Sequence, residues 1–306
     1  MTSIAYLLIS HGSRDPRHQT SLNRLAQLVR ERLNPSLVDP WSPQSLPSLA
    51  SEDRAVGLTV LGSHRLGTSR KASKDGLHEM AVLTAEPPVN GASAPVQLPR
   101  ERVIVGTAVL DFALLPLHEQ ICEFGRRLSS AGVERLRLIP LFLLRGKHVM
   151  EDIPHEVSLA RRQLQGVIDL EIEEPIGSGQ NMPRLITSRF SHSPGKGRLL
   201  IAHGSRRPKG NRAVDILAKS LGTEVAYWTV DSDIENQTIQ LMQQGCSSLT
   251  IFPYFLFAGS ITDEIAHLTE ELAERFPRTK FRLLPPLGAT ADVANLVVSS
   301  FASRTV

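Results

Sequence analysis

Leu7-Leu8-Ile9-Ser10-His11-Gly12-Ser13-Arg14-Asp15-Pro16 stands near the start of the chain, and Leu199-Leu200-Ile201-Ala202-His203-Gly204-Ser205-Arg206-Arg207-Pro208 repeats it two thirds of the way along. The repeat continues. Ile139-Pro140-Leu141-Phe142-Leu143 returns as Phe252-Pro253-Tyr254-Phe255-Leu256, Glu174-Pro175-Ile176-Gly177 returns as Pro285-Pro286-Leu287-Gly288, and Phe190 has its counterpart in Phe301. The chain is a duplication, so features kept in both copies read as scaffold or shared contact, and features present once read as specialised.

Ile4–Ser10 is a continuous apolar run of the kind that suits a buried parallel strand. Leu22, Leu25, Ala26, Val29 and Leu33 follow at helical spacing. Further strands are expected at 103–110, 135–143 and 167–172, with helices at 117–130, 148–165 and 181–189. The second copy repeats the scheme with strands at 198–202, 224–230, 249–255 and 280–284. This alternation predicts an α/β chain of two tandem, similar domains, 1–192 and 198–306, each a four-stranded parallel sheet flanked by helices.

The offset between copies falls from 192 residues at His11/His203 to 113 at Pro140/Pro253, so the first copy carries an insertion. Most of it lies at 34–101, a stretch rich in Pro, Ser, Ala and Gly whose apolar residues keep no period. Ser191-His192-Ser193-Pro194-Gly195-Lys196-Gly197 reads as the linker between domains.

Composition excludes several classes. With 34 basic against 31 acidic residues the charge is too balanced for a nucleic-acid surface. Cys122 and Cys246 stand alone, without a CxxC, so cysteine metal ligation is not expected. The start has no basic segment, and its apolar run meets Ser10 and His11 too early for a signal peptide or membrane span, which predicts a cytoplasmic protein.

His11 ends a strand, and in an open parallel sheet ligands bind at that carboxyl edge; His203 repeats the position. Gly12 and Gly204 would allow close backbone approach to a ligand, and Ser13 and Ser205 would offer hydroxyls. A second constellation follows the third strand: Arg145-Gly146-Lys147-His148-Val149-Met150-Glu151-Asp152-Ile153-Pro154-His155. In a helix beginning near His148, residues Glu151, Asp152 and His155 share its face. Imidazole suits Fe, Co, Ni and Zn, with a carboxylate to orient it, although acidic residues at a helix start also simply complement the dipole. The second copy has Ile261 where His148 should be, so one copy can supply two histidines and the other cannot. Asp111, loosely matched by Asp231 or Asp233, could bind metal, take protons or cap a helix. Arg14, Arg17, Arg145, Lys147, Arg206, Arg207 and Lys209 fall on loops at the ligand edge and favour an anionic ligand.

These motifs together resemble the class II chelatases that insert metal into sirohydrochlorin, in the long form with two halves. The resemblance covers both copies and omits only 34–101. It implies a polycarboxylated tetrapyrrole as substrate, bound between the halves, with Co²⁺, Fe²⁺ or Ni²⁺ as the other substrate and no further cofactor. It implies active-site histidines at His11 and His148, both as metal ligands, and a catalytic acidic residue most nearly at Asp111, with Glu151 and Asp152 as alternatives. Ser13, Arg14, Arg145, Lys147, His203, Ser205 and Arg206 become candidate substrate contacts. A monomer acting in sirohaem or cobalamin synthesis, without nucleic acid or membrane, is expected. Two other readings compete. One is a non-catalytic tetrapyrrole or metal carrier, and the other a phosphohistidine enzyme, disfavoured because Ser10 or Ala202 replaces the arginine that would precede the histidine.

Overall fold

A strand without a polar face must be covered on both sides. In the computed structural model, which describes residues 4–34, 103–191, 197–207, 209–229 and 234–302, that is where the opening run lies. The first half runs β1 (Ile4–Ser10), α1 (Pro16–Leu33), β2 (Ile104–Val109), α2 (Leu117–Ser130), β3 (Arg135–Pro140), α3 (Ile153–Gln163), β4 (Asp169–Ile172) and α4 (Met182–Phe190). The second runs β5 (Gly197–Ala202), α5 (Arg212–Leu221), β6 (Glu224–Tyr227), α6 (Ile234–Gln243), β7 (Ser248–Tyr254), α7 (Ser260–Arg275), β8 (Lys280–Leu283) and α8 (Ala291–Ala302). Each half forms one four-stranded sheet, ordered β2-β1-β3-β4 and β6-β5-β7-β8, with every pairing parallel.

The alternation of side chains along each strand divides the interior. Ala5, Leu7 and Ile9 face α2 and α3, joining Ile121, Leu128 and Val157 in a core private to the first half. Leu199 and Ile201 do the same in the second half with Leu241 and Ile265. The intervening residues, Tyr6 and Leu8 on one sheet and Leu200, Ala202, Phe252 and Tyr254 on the other, belong to one continuous core that both halves share. There Phe190 of α4 meets Phe252 of β7 edge-on, with ring centroids 5.8 Å apart. The helices around this core pack in exchanged fashion, α1 against α8 and α4 against α5, and both sheets fall within one compact unit.

Among the described residues, two ion pairs also cross between halves. Arg17 binds Asp263 at 2.6 Å, and Arg207 binds Glu151 at 2.8 Å. In each case an arginine shortly after one half's first strand, Arg17 in the first turn of α1 and Arg207 on the loop after β5, grips the start of the helical segment after the other half's third strand. Arg17 also forks onto Asp15, and this contact first of all holds the Asp15 carboxyl below its ordinary range.

The helix expected over 148–165 is divided. His148–Asp152 is a turn of π-helix, closed by the Ile153 N–H donating to the His148 carbonyl, and α3 follows it. Such a widened turn often marks a functional site.

The ends of the insertion are fastened to each other. The Asn34 amide donates to the Val103 carbonyl at 3.1 Å, and its side-chain oxygen accepts the Val103 N–H at 2.9 Å. In the second half the same connection runs from α5 to β6 through Gly222 and Thr223 alone. The interior of the insertion lies outside the described residues. Replacing residues 40–99 with a short Gly-Ser link should therefore leave a folded protein whose melting temperature stays within a few degrees of the full chain, measured by circular dichroism. Loss of soluble expression would show that the half depends on the segment.

Candidate functional site

The strand ends of both halves meet at a cleft of about 500 Å³. Residues 10–13, 141–144 and 146–149 line it from the first half, and residues 203–205 and 254–262 from the second, with His18 of α1 between them. Most of this lining is apolar.

His11 leaves β1 with its Nδ1 3.1 Å from the Gly12 carbonyl oxygen. A carbonyl only accepts, so Nδ1 is the donor here, and in the neutral ring Nε2 keeps its lone pair. His148 reaches the same state differently, donating from Nδ1 to Asp152 Oδ2 at 2.8 Å. The two rings stand edge-on with centroids 4.7 Å apart. Asp111 completes the group, its Oδ2 3.6 Å from His11 Nε2. One ligand atom from each of His11, Asp111 and His148 lies within 4.8 Å of the others, a spacing that one metal ion can bridge.

Backbone geometry brings Asp111 there. Its N–H donates to the His11 carbonyl at 2.8 Å, carrying the β1–β2 pairing one step beyond the strands. Gly12 makes this possible. With φ at +93°, a Cβ at that position would stand 2.0 Å from the Asp111 carbonyl oxygen. Close approach at Gly12 is thus made by the neighbouring loop, in place of the ligand that the sequence suggested.

In the second half His203 repeats the His11 geometry, with Nδ1 3.1 Å from the Gly204 carbonyl. The residue whose N–H reaches the His203 carbonyl is Thr229, at 3.0 Å. Thr229 is therefore the counterpart of Asp111; Asp231 and Asp233, suggested from sequence, lie outside the described residues. With Thr229 and Ile261 in place of Asp111 and His148, the equivalent site of this half holds His203 without a second histidine or a carboxylate partner among the described residues.

The other acidic candidates separate. Asp152 orients His148, and Glu151 turns to Arg207 of the other half. His155 is exposed and borders, with Asp111, Glu151, Asp152 and Glu156, an acidic hollow of about 620 Å³. Asp111 thus borders the hollow while sharing its ligand group with two residues of the apolar cleft.

Of the candidate substrate contacts, Ser13, Lys147, His203 and Ser205 line the cleft, whereas Arg14, Arg145 and Arg206 do not. Both serine hydroxyls accept a backbone N–H from two residues on, Ser13 from Asp15 and Ser205 from Arg207, which tightens the loop. Arg145 pairs with Glu174 and Ser178. The Arg14 guanidinium lies 5.4 Å above the ring of Phe112, an exposed residue held at a left-handed φ of 62°. Long side chains found these partners in preference to the cleft.

Sequence reading missed His18, Ser10 and Tyr254. His18 packs edge-on against Phe257 at 5.4 Å across the cleft, and burial, then the neighbouring His11, pushes its pKa down. Its spacing from Leu22, Leu25 and Val29 on the buried stripe of α1 was the available signal. Burial alone raises the Tyr254 phenol above its ordinary range.

The family model described as CbiX matches residues 93–193 and again 197–304. A sirohydrochlorin ferrochelatase of Priestia megaterium is 23% identical over 155 residues, which are 46% of this chain and 58% of that protein; the match spans little more than half of the relative's length. Among solved structures, the sirohydrochlorin chelatase SirB of Bacillus subtilis subspecies spizizenii in complex with cobalt covers 99% of this chain and 95% of its own, with a TM-score of 0.61 at 16% identity. SirB from Bacillus subtilis with Fe³⁺ gives the same coverage and identity with a TM-score of 0.64. At such identity the structures establish a shared fold, and the two successive family matches, one on each half, establish that this chain belongs to the CbiX family.

Proposed function

We propose that this protein is a sirohydrochlorin chelatase, inserting Co²⁺ or Fe²⁺ into the ring as a cytoplasmic monomer whose single chain supplies both walls of the cleft. The observation that carries the reading is the His11–Asp111–His148 group beside an apolar cleft. The flat body of a tetrapyrrole suits apolar walls, and its ionised periphery suits an open mouth. Ser13, Lys147, His203 and Ser205 are the lining groups placed to contact it. The family match and the ferrochelatase relative support the same substrate.

Insertion exchanges a divalent ion for the two N–H protons of the ring. His11 and His148, held with Nε2 open, and the Asp111 carboxylate hold the ion as substrate. As it passes to the ring nitrogens, the lone pairs it leaves become acceptors for the two protons. The charges then balance without a nucleotide or redox partner. Asp152 acts through His148 as a positioning residue.

Mixing purified protein with sirohydrochlorin and each divalent ion, and following the absorbance change, tests the reading. Many turnovers per chain are expected; a limit of one equivalent would identify a carrier instead. His11→Ala and His148→Ala should each reduce the rate about a hundred-fold or more, with His203→Ala far milder. If His203→Ala were the most damaging of the three, the active half would be misassigned.

Asp152→Ala should weaken Co²⁺ binding about 10–100-fold, read from the visible absorbance of bound cobalt, because the His148 ring loses its anchor. Asp152→Asn, which still offers an oxygen to Nδ1–H, should recover part of that loss. Equal affinities in all three proteins would exclude a positioning role.

A further inference from the structure

Two hydroxyl residues that line the cleft have no hydrogen-bond partner for their side chains among the described residues. Ser10, the last residue of β1, is 2% exposed, and its Oγ makes no hydrogen bond among the described residues. Tyr254, the last residue of β7, is 3% exposed, and no hydrogen bond of its phenol is found among the described residues either. Both line the cleft. Both also end inward-facing rows, Ser10 after Tyr6 and Leu8, and Tyr254 after Phe252. Leaving a fully enclosed hydroxyl such as that of Ser10 unsatisfied costs stability, so its retention needs a reason.

The duplication removes the fold as that reason. Ala202 stands at the position of Ser10 in the other half, and Leu141 at that of Tyr254. Each position is therefore filled without a hydroxyl in the sister copy, and each sheet closes equally well.

We propose that Ser10 and Tyr254 form a buried anchoring subsite for one carboxylate arm of the ligand. Both groups are O–H donors, and an acceptor with two oxygens engages two such donors at once. The inference rests on the tetrapyrrole reading: the ring's own N–H groups are donors and central, whereas its peripheral carboxylates are the acceptors able to reach the base of a cleft. Lys147, the one Lys or Arg among the lining residues, would then be left for another arm, while this neutral pair fixes which edge of the ring enters first.

The test uses the full chain without metal. Fluorescence titration measures binding of sirohydrochlorin, and of a tetrapyrrole carrying uncharged glycol chains in place of carboxylates, to the parent protein, Ser10→Ala, Tyr254→Phe and the double variant. Thermal unfolding of the free proteins runs in parallel. Sirohydrochlorin affinity should fall about ten-fold per hydroxyl, as for a hydrogen bond to a charged group, while the glycol analogue is indifferent. The melting temperature of the free variants should hold or rise, since an unsatisfied group has been removed. A lowered melting temperature with unchanged affinity would assign the hydroxyls to the fold and overturn the proposal. So would an equal loss for both ligands. Failure of the parent protein to bind any tetrapyrrole would overturn both readings, whereas tight binding indifferent to both substitutions overturns the subsite alone.

Discussion

The shared core between the inner faces of the two sheets is the constraint on which the molecule rests. Tyr6, Leu8, Leu200 and Phe252 line rows that water would otherwise reach, and each row is dried by the other half. Hydrophobic burial has no direction of its own, so the orientation comes from elsewhere. The exchanged helix contacts and the two crossing ion pairs supply it. With the sheets fixed in this way, their carboxyl edges meet at a cleft whose walls belong to different halves.

Within that cleft the backbone does most of the positioning. One hydrogen bond beyond the end of the β1–β2 pairing sets Asp111 beside His11, and only glycine at position 12 leaves room for it. Each histidine then spends its Nδ1 proton on a fixed acceptor, a carbonyl for His11 and a carboxylate for His148. One ligand atom of each ring lies within 4.8 Å of the other and of an Asp111 carboxylate oxygen, and a metal ion takes imidazole in its neutral form.

Much of this was legible in the sequence, because duplication lets each half check the other. The strand runs, the carboxyl-edge histidines and the loss of His148 at Ile261 needed only period and alignment. The π turn at His148 did not, since helical spacing is the same to the eye whether the turn is α or π. Thr229 as the partner of Asp111 was hidden because the match is one of backbone hydrogen bonding and not of residue type. Long basic side chains misled for a related reason. Arg17 and Arg207 lie near the ligand edge in sequence, but their guanidinium groups extend far enough to find carboxylates on the opposite half. Ser10 was read as the end of a strand, and nothing in the local pattern distinguishes a satisfied hydroxyl from an unsatisfied one.

The unequal furnishing of two equivalent halves has a stereochemical consequence. A flat guest in the cleft would meet the His11 and His148 wall on one face and the wall of His203, Phe255 and Ile261 on the other. The scaffold is nearly two-fold symmetric, yet its interior is handed. A planar molecule whose two faces differ in their substituents would be read as left or right on entry, and an ion could pass into it from one side only.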